Sequence, residues 1–132
     1  MKELIGVTLA GVPIFSGTST FGADAFIPPK SVNAPSLDQC MGSSSTFYHY
    51  HSFSPCILNT TLKTGQYSSL ILEKQVDKFI EYIEQSMTPN LRRLIPIGIA
   101  RDGHLIYGPY NNEGDLWRPC DVDVCNGRII NG

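Results

Sequence analysis

Two histidines separated by one residue carry the clearest chemical signal in this 132-residue chain. His49 and His51 stand in the stretch Tyr48–His51, and alternate residues of an extended strand share a face. The two imidazoles should therefore point the same way, with Tyr48 and Tyr50 on the opposite side. Imidazole is a common ligand of Zn and Cu, so the pair predicts half of a metal site.

Other side chains are candidates to complete that site. His104, in a predicted hairpin turn, is the candidate third ligand, and three carboxylates are candidates to complete the shell or to orient a ring: Asp38, Asp102 and Asp123. The alternative interpretation is structural, with imidazoles bonded to loop carbonyls and the two tyrosines in the core. Four serines flank the histidines (Ser43, Ser44, Ser45 and Ser52), but no nucleophile-elbow sequence accompanies them, so we predict no catalytic residue.

Composition limits the class of protein. Hydrophobic residues make up 42% and charged residues 17% of the chain, with a formal net charge of -2, which is typical of one folded domain. Lysines and arginines are scattered, so no basic footprint for nucleic acid is present. No apolar run reaches the roughly 18 residues that span a bilayer, so we expect no membrane span.

The four cysteines favour an extracellular protein, because disulfides persist in oxidising compartments. We prefer a Cys40–Cys56 bridge, which would close a loop around the histidines. Cys120 and Cys125 would bridge each other, or Cys125 would pair with a cysteine beyond Gly132. Asn59 begins a glycosylation sequon, Asn59–Thr61. A targeting segment would lie outside this sequence.

An internal repeat predicts the architecture. The segment 5–15 and the segment 97–107 each read as strand, Gly-containing turn and strand, and Asp102-Gly103 favours a type I′ hairpin. Each is followed by apolar-Asp-x-Cys-x-Gly, at 37–42 and at 122–127. We therefore expect one α+β, β-rich domain over 1–132, built from antiparallel hairpins of two related halves, 5–56 and 97–132, and cut short at both ends.

Between the halves the spacing of apolar residues predicts one amphipathic helix over about 69–88, ended by Pro89. Its apolar stripe consists of Leu72, Val76, Phe79, Ile80, Ile83 and Met87. The simplest role of this stripe is to pack on the sheet.

Several segments together resemble the YHYH domain family, whose members are largely uncharacterised and secreted or surface-associated. The matching stretches, which extend over most of the chain, are Asp38–Gly42, Phe47–His51, Pro55–Cys56, Ile97–Tyr110 and Pro119–Gly127. The resemblance implies a shared fold and an extracellular location, and it implies little about activity.

We therefore expect an extracellular structural or interaction domain, stabilised by disulfides and binding Zn or Cu through the histidine strand. Its expected partners are further copies of itself or other extracellular proteins. One alternative is a secreted metal-dependent enzyme or copper- or zinc-handling protein. Another is a carbohydrate- or surface-binding module that uses exposed aromatic side chains, those of Tyr107, Tyr110 and Trp117.

Overall fold

The computed structural model describes residues 4–18, 22–24, 37–58 and 76–130, except for the side chains of residues 76–79. Its centre is a six-stranded mixed sheet in the order β3-β4-β2-β1-β5-β6. The strands are β1 (Leu4–Thr8), β2 (Pro13–Phe15), β3 (Gly42–Ser43), β4 (His49–Tyr50), β5 (Pro96–Ala100) and β6 (Leu105–Tyr107). One α-helix, α1 (Val76–Ser86), is described, with short 3-10 helices at Pro89–Leu91 and Pro119–Asp121. The protein is therefore mainly β with a little helix, as the sequence predicts.

Both predicted hairpins are present and share one register. Gly6 lies opposite Ile14 in the β1–β2 hairpin, and Gly98 lies opposite Ile106 in the β5–β6 hairpin. Each hairpin has an irregularity in the equivalent place, before that glycine. An isolated bridge follows each hairpin at the same spacing, joining Thr18 to Asp24 and Tyr110 to Leu116. The two segments thus have the same strand-pairing pattern, although few of their equivalent residues are identical.

The predicted type I′ turn at Asp102-Gly103 is wrong. Gly103 has a positive φ of 88°, but Asp102 is not among the residues with positive φ. The amide of Gly103 donates to the carbonyl of Ala100, and the amide of Ala100 donates to the carbonyl of His104. These bonds form a three-residue loop that ends in one left-handed residue, which suits the strand twist as well as a type I′ turn does.

The hairpins join through β1 and β5, which run antiparallel in the middle of the sheet. Glycine is required at the join. A Cβ atom on Gly6 would lie 2.4 Å from the carbonyl oxygen of Ile99, and one on Gly98 would lie 2.4 Å from that of Val7. The absence of side chains at these two positions lets the hairpins approach each other closely.

The histidine strand enters the sheet in a way that the sequence did not predict. β4 pairs antiparallel with β3 and parallel with β2, where Tyr50 lies opposite Ile14. The sheet is therefore mixed, and the expectation of antiparallel hairpins alone is corrected. Parallel partners need a long connection rather than a tight turn, and hairpin signals cannot reveal such a pairing. Tyr50 and Ile14 are both buried, which fixes the face of the strand that points into the core.

A recurring five-residue loop shapes the chain. In the segments 38–42 and 123–127 the aspartate Oδ1 accepts the amides of the third and fifth residues, and the fourth residue, Met41 or Asn126, has a φ near 60°. The loop 111–115 has the same bonds, with the amide oxygen of Asn111 as acceptor. The apolar-Asp-x-Cys-x-Gly motif is therefore a side-chain-capped turn.

Helix α1 ends at Ser86, two residues before the predicted end, and the predicted start at 69–75 lies outside the described residues. Its most buried described side chain is Tyr82, at 1% exposure, whose hydroxyl donates to the carbonyl of Gln39. Met87, in the predicted stripe, is also buried, whereas Ile80 and Ile83 are half-buried. The contact of Tyr82 with Gln39 places the helix against the loop that leads into β3. In the part of the chain that is described, no helix is long and apolar enough to cross a membrane.

Candidate functional site

The side chains of His49 and His51 face each other on the side of β4 away from the buried Tyr50. Their ring centroids are 4.8 Å apart, and Tyr48 and Tyr50 contact each other at 5.6 Å on the opposite side. This is the alternation that an extended strand imposes. The Nε2 atoms of the two histidines lie 3.0 Å apart.

Each imidazole is oriented by a backbone carbonyl. Nδ1 of His49 is 2.7 Å from the carbonyl oxygen of Phe47, and Nδ1 of His51 is 2.7 Å from that of Ser16. A carbonyl can only accept, so both Nδ1 atoms carry the ring proton. The neutral rings therefore direct two Nε2 lone pairs at each other, an arrangement that needs a proton or a cation between them. Metal-binding histidines are commonly held in this way, with the second nitrogen donating to a carbonyl.

Aromatic side chains enclose the pair. The ring of Phe15 lies 4.8 Å from that of His49 and 6.3 Å from that of His51, and the ring of Phe47 lies 5.8 Å from His49. His49 is only 7% exposed, and His51 is half-buried. The two phenylalanine rings pack mainly against His49, so they restrict the movement of its imidazole.

The spacing of the two nitrogens suits a shared metal ion. Zn and Cu bind imidazole nitrogen at about 2.0–2.1 Å. Two such bonds to atoms 3.0 Å apart meet at the ion at roughly 90–100°. That angle is close to the right angle of tetragonal Cu(II) and somewhat below the tetrahedral angle of structural Zn.

His104 does not join the pair. It lies in the exposed β5–β6 turn, where its Nδ1 is 3.0 Å from Oδ1 of Asp102. The hydrogen bonds from the backbone and side chain of His104 lower the pKa of Asp102. Among the described residues, no group of three or more His, Cys, Asp or Glu side chains is placed to hold a metal ion. The proposed third ligand is therefore absent from the geometry, because the local turn pairs His104 with its neighbour.

The other predicted carboxylates have local structural roles. Asp123 caps its own loop, and Asp38 caps the first loop while its Oδ2 accepts the hydroxyl of Tyr48 at 2.9 Å. Burial, followed by the hydrogen bond to Asp38, raises the pKa of Tyr48 well above its usual value. The Asp38–Tyr48 bond ties the first capped loop to the start of the histidine strand, on the face opposite the two imidazoles.

Cys40 and Cys56 form the predicted disulfide, with Cα atoms 5.4 Å apart, and so close the loop that carries the histidines. Cys120 and Cys125 are free and exposed, which corrects the prediction that they bridge each other. Each is confined to a separate turn by local backbone bonds, Cys120 in the 3-10 helix and Cys125 in the loop of Asp123. A bridge from Cys125 to a cysteine beyond Gly132 stays a prediction, and Asn59 lies outside the described residues.

The flanking serines do not form a nucleophile with the histidines. Each Nδ1 donates to a backbone carbonyl and the two Nε2 atoms face each other, while the hydroxyl of Ser52 donates to the carbonyl of Phe53. Ser43 is buried opposite His49 in the β3–β4 ladder, whereas Ser44 and Ser45 are exposed.

The aromatic residues named for carbohydrate binding do not form a common platform. Tyr110 is 2% exposed, which corrects its expected exposure, and it packs on Phe53 with ring centroids 6.4 Å apart. Trp117 is half-buried, and the guanidinium of Arg128 lies over its ring at 4.5 Å. Tyr107 is 37% exposed on the edge strand β6.

The sequence indicates the two imidazoles but not the backbone carbonyls and the aromatic ring that orient them. The carbonyls of Phe47 and Ser16 have no side-chain signature, and Ser16 is remote from the tetrad in sequence. The sequence marks Phe15 only as the last residue of a predicted hairpin. Its role follows from the parallel β2–β4 pairing, which brings the end of β2 beside the histidine strand.

No family model matches the chain, and neither the curated proteins nor the solved structures contain a match. The resemblance to the YHYH family accordingly stays a prediction.

Proposed function

We propose that this protein is an extracellular binding domain whose His49–His51 pair holds a copper or zinc ion. The observation that carries the proposal is the placement of two Nε2 atoms 3.0 Å apart, with both Nδ1 atoms bonded to backbone carbonyls. Carbonyls on the far side of both rings fix the tautomer that exposes Nε2. In a purely structural pair of neutral rings, one ring would donate a hydrogen bond to the other. Here both ring protons are on Nδ1 and point at carbonyls, so neither Nε2 has a proton to donate.

Cu(II) is the better fit of the two metals. The roughly right angle that the nitrogens subtend matches two neighbouring positions of a tetragonal ion. A tetrahedral Zn ion would need the nitrogens to separate to about 3.3 Å. The aromatic packing by Phe15 and Phe47 opposes such a movement, although a few tenths of an ångström are within reach of small ring rotations.

The extracellular location is supported by the disulfide between Cys40 and Cys56, because such bridges persist outside the reducing cytosol. The bridge also closes the segment that contains both histidines, so an oxidising environment would preserve the geometry of the pair.

The domain arose, in our proposal, from the duplication of one unit. The support is the shared register of the two hairpins, the equivalent bridges that follow them, and the matching capped loops of Asp38 and Asp123. The join is consistent with this origin. Val7 lies opposite Ile99 at its centre, and the same residue of each hairpin would meet there.

The experiment is a titration of the metal-free protein with Cu(II) and Zn(II), followed by desalting and elemental analysis. The unmutated protein should retain between one ion per chain and one ion per two chains. His49→Ala and His51→Ala should each weaken binding by more than the ~100-fold that loss of an orienting partner costs. His104→Ala is the matched control and should bind as the unmutated protein does.

Electron paramagnetic resonance of the Cu(II) form should show nitrogen ligands that are lost in the two pair variants. The proposal fails if the unmutated protein keeps less than about a tenth of an equivalent, the level of contamination. It also fails if His104→Ala loses the metal as the pair variants do.

A further inference from the structure

One face of the sheet carries a row of exposed apolar side chains. Val7 lies opposite Ile99, and Ile99 lies opposite Leu105, so the three project from the same face on neighbouring strands. They are 41%, 46% and 53% exposed. Tyr107, two residues after Leu105 on the same face, is 37% exposed. A run of large apolar residues across three strands is unusual on a surface without a partner.

The histidine pair lies on this same face. Val7 pairs with Pro13, and Phe15 follows two residues later on the same side of β2. The ring of Phe15 contacts that of His49, which continues the face onto β4. Phe47, which contacts Phe15 and His49, is 44% exposed and forms the rim beside the pair. The apolar row and the two imidazoles therefore form one surface, which we call the outer face.

The outer face presents an incomplete ligand set. Zn(II) and Cu(II) usually take four or more ligands, and the pair supplies two nitrogens. No additional His, Cys, Asp or Glu completes a group of three within the described segments. Water or groups outside the described residues could fill the remaining coordination positions, and a second chain with the same pair would supply two more imidazoles. A two-fold axis through the ion produces this arrangement, because it brings the same patch of both chains together.

We propose that two copies of this chain associate through their outer faces around one metal ion held by His49 and His51 of each. This inference rests on the metal site proposed above. The apolar row supplies the buried core that such an interface needs. None of its members is charged (Val7, Phe15, Phe47, Ile99, Leu105 and Tyr107), so like charges on these side chains do not oppose the approach. The aromatic residues beside the pair would exclude water from the shared ion.

The test measures mass and metal stoichiometry together. Metal-free protein in chelator should sediment as a monomer. Added Cu(II) or Zn(II) should double the mass and saturate at one ion per two chains. Leu105→Lys places a charge on the exposed edge of the outer face. It should weaken metal-driven association by at least about tenfold, while the two imidazoles of each separate chain still bind the ion, more weakly. Val124→Lys, at a side chain that is 99% exposed and outside the row, is the matched control and should leave association unchanged.

The outcomes separate the two proposals. Saturation at one ion per chain with an unchanged monomer mass overturns the dimer and leaves the metal site standing. A protein that binds no metal overturns the metal site, and the dimer with it. A mass that is already doubled in chelator overturns the metal link. Association of the Leu105→Lys variant that equals that of Val124→Lys overturns the assignment of the face.

Discussion

The capped loop of Asp38 allows a quantitative prediction, because Asp123 provides a matched loop elsewhere in the chain. Oδ1 of Asp38 accepts the amides of Cys40 and Gly42, both at 2.9 Å, and Oδ2 accepts the hydroxyl of Tyr48 at 2.9 Å. Among the described residues, Asp123 accepts the two equivalent amides and no tyrosine hydroxyl. Replacement of each aspartate by alanine should therefore differ in cost by the value of the tyrosine bond.

The magnitudes follow from exposure. Both carboxylates are exposed, so the orphaned amides can bond to water and each cap is worth about 1 kcal/mol. Tyr48 as a whole is half-buried, and the charge-assisted bond of its hydroxyl adds about 1–1.5 kcal/mol. Asp38→Ala should thus lower the free energy of unfolding by about 2–2.5 kcal/mol, and Asp123→Ala by about 1 kcal/mol.

The assay is urea denaturation of both variants with the disulfide intact, together with Tyr48→Phe and the Asp38→Ala, Tyr48→Phe double variant. The double-mutant cycle should give a coupling of about 1 kcal/mol between the two side chains. Equal costs for Asp38→Ala and Asp123→Ala, or a coupling near zero, would refute the reasoning. Either result would mean that the tyrosine bond contributes nothing beyond the shared turn.

Three further predictions concern the rest of the fold. In chemical denaturation, Gly6→Ala should lower the free energy of unfolding by well over the ~1 kcal/mol expected of Gly11→Ala. A Cβ on residue 6 would meet the backbone of β5, whereas Gly11 has open space and only its positive φ opposes the change. Similar losses for the two variants would contradict the close approach of the hairpins. Replacement of both Cys40 and Cys56 by serine should destabilise the domain by about 3 kcal/mol through lost loop closure, seen as a lower urea midpoint, and an unchanged midpoint would count against the bridge. Burial, followed by the charge of Glu84, raises the pKa of Tyr110 above its unfolded value, so the stabilisation from the neutral tyrosine is present below about pH 10 and is lost as the pH rises further. Above about pH 10 the Tyr110→Phe variant should therefore lose less stability than the unmutated protein. Equal losses in the two proteins would contradict the shift.

Local patterns predicted the parts of the fold that depend on local interactions. The hairpins, the helix and the shared face of His49 and His51 follow from periodicity and turn residues, since each involves near neighbours. The preferred Cys40–Cys56 bridge is confirmed, although the sequence alone leaves three pairings of the four cysteines open.

Contacts between residues that are distant in the sequence could not be predicted. The parallel partner of β4 is β2, and the carbonyl that orients His51 belongs to Ser16. Neither relation has a residue signature, because backbone groups are the same at every position. Tyr82 was missed for a related reason. Its polar hydroxyl places it outside the apolar stripe, yet the carbonyl of Gln39 accepts that hydroxyl and permits burial.

The pairing of β1 with β5 has a consequence for the order of folding. Each hairpin contains only local contacts, and hairpins of this kind form within microseconds. The β1–β5 ladder brings together residues as distant as Val7 and Ile99, so its formation closes a large loop and should be the slow step. Because the hairpins form before this step, destabilising changes within either turn should retard refolding with little effect on the unfolding rate. Changes at the join, which forms last, should act mainly by accelerating unfolding. The chain would then assemble as two preformed ribbons that dock late.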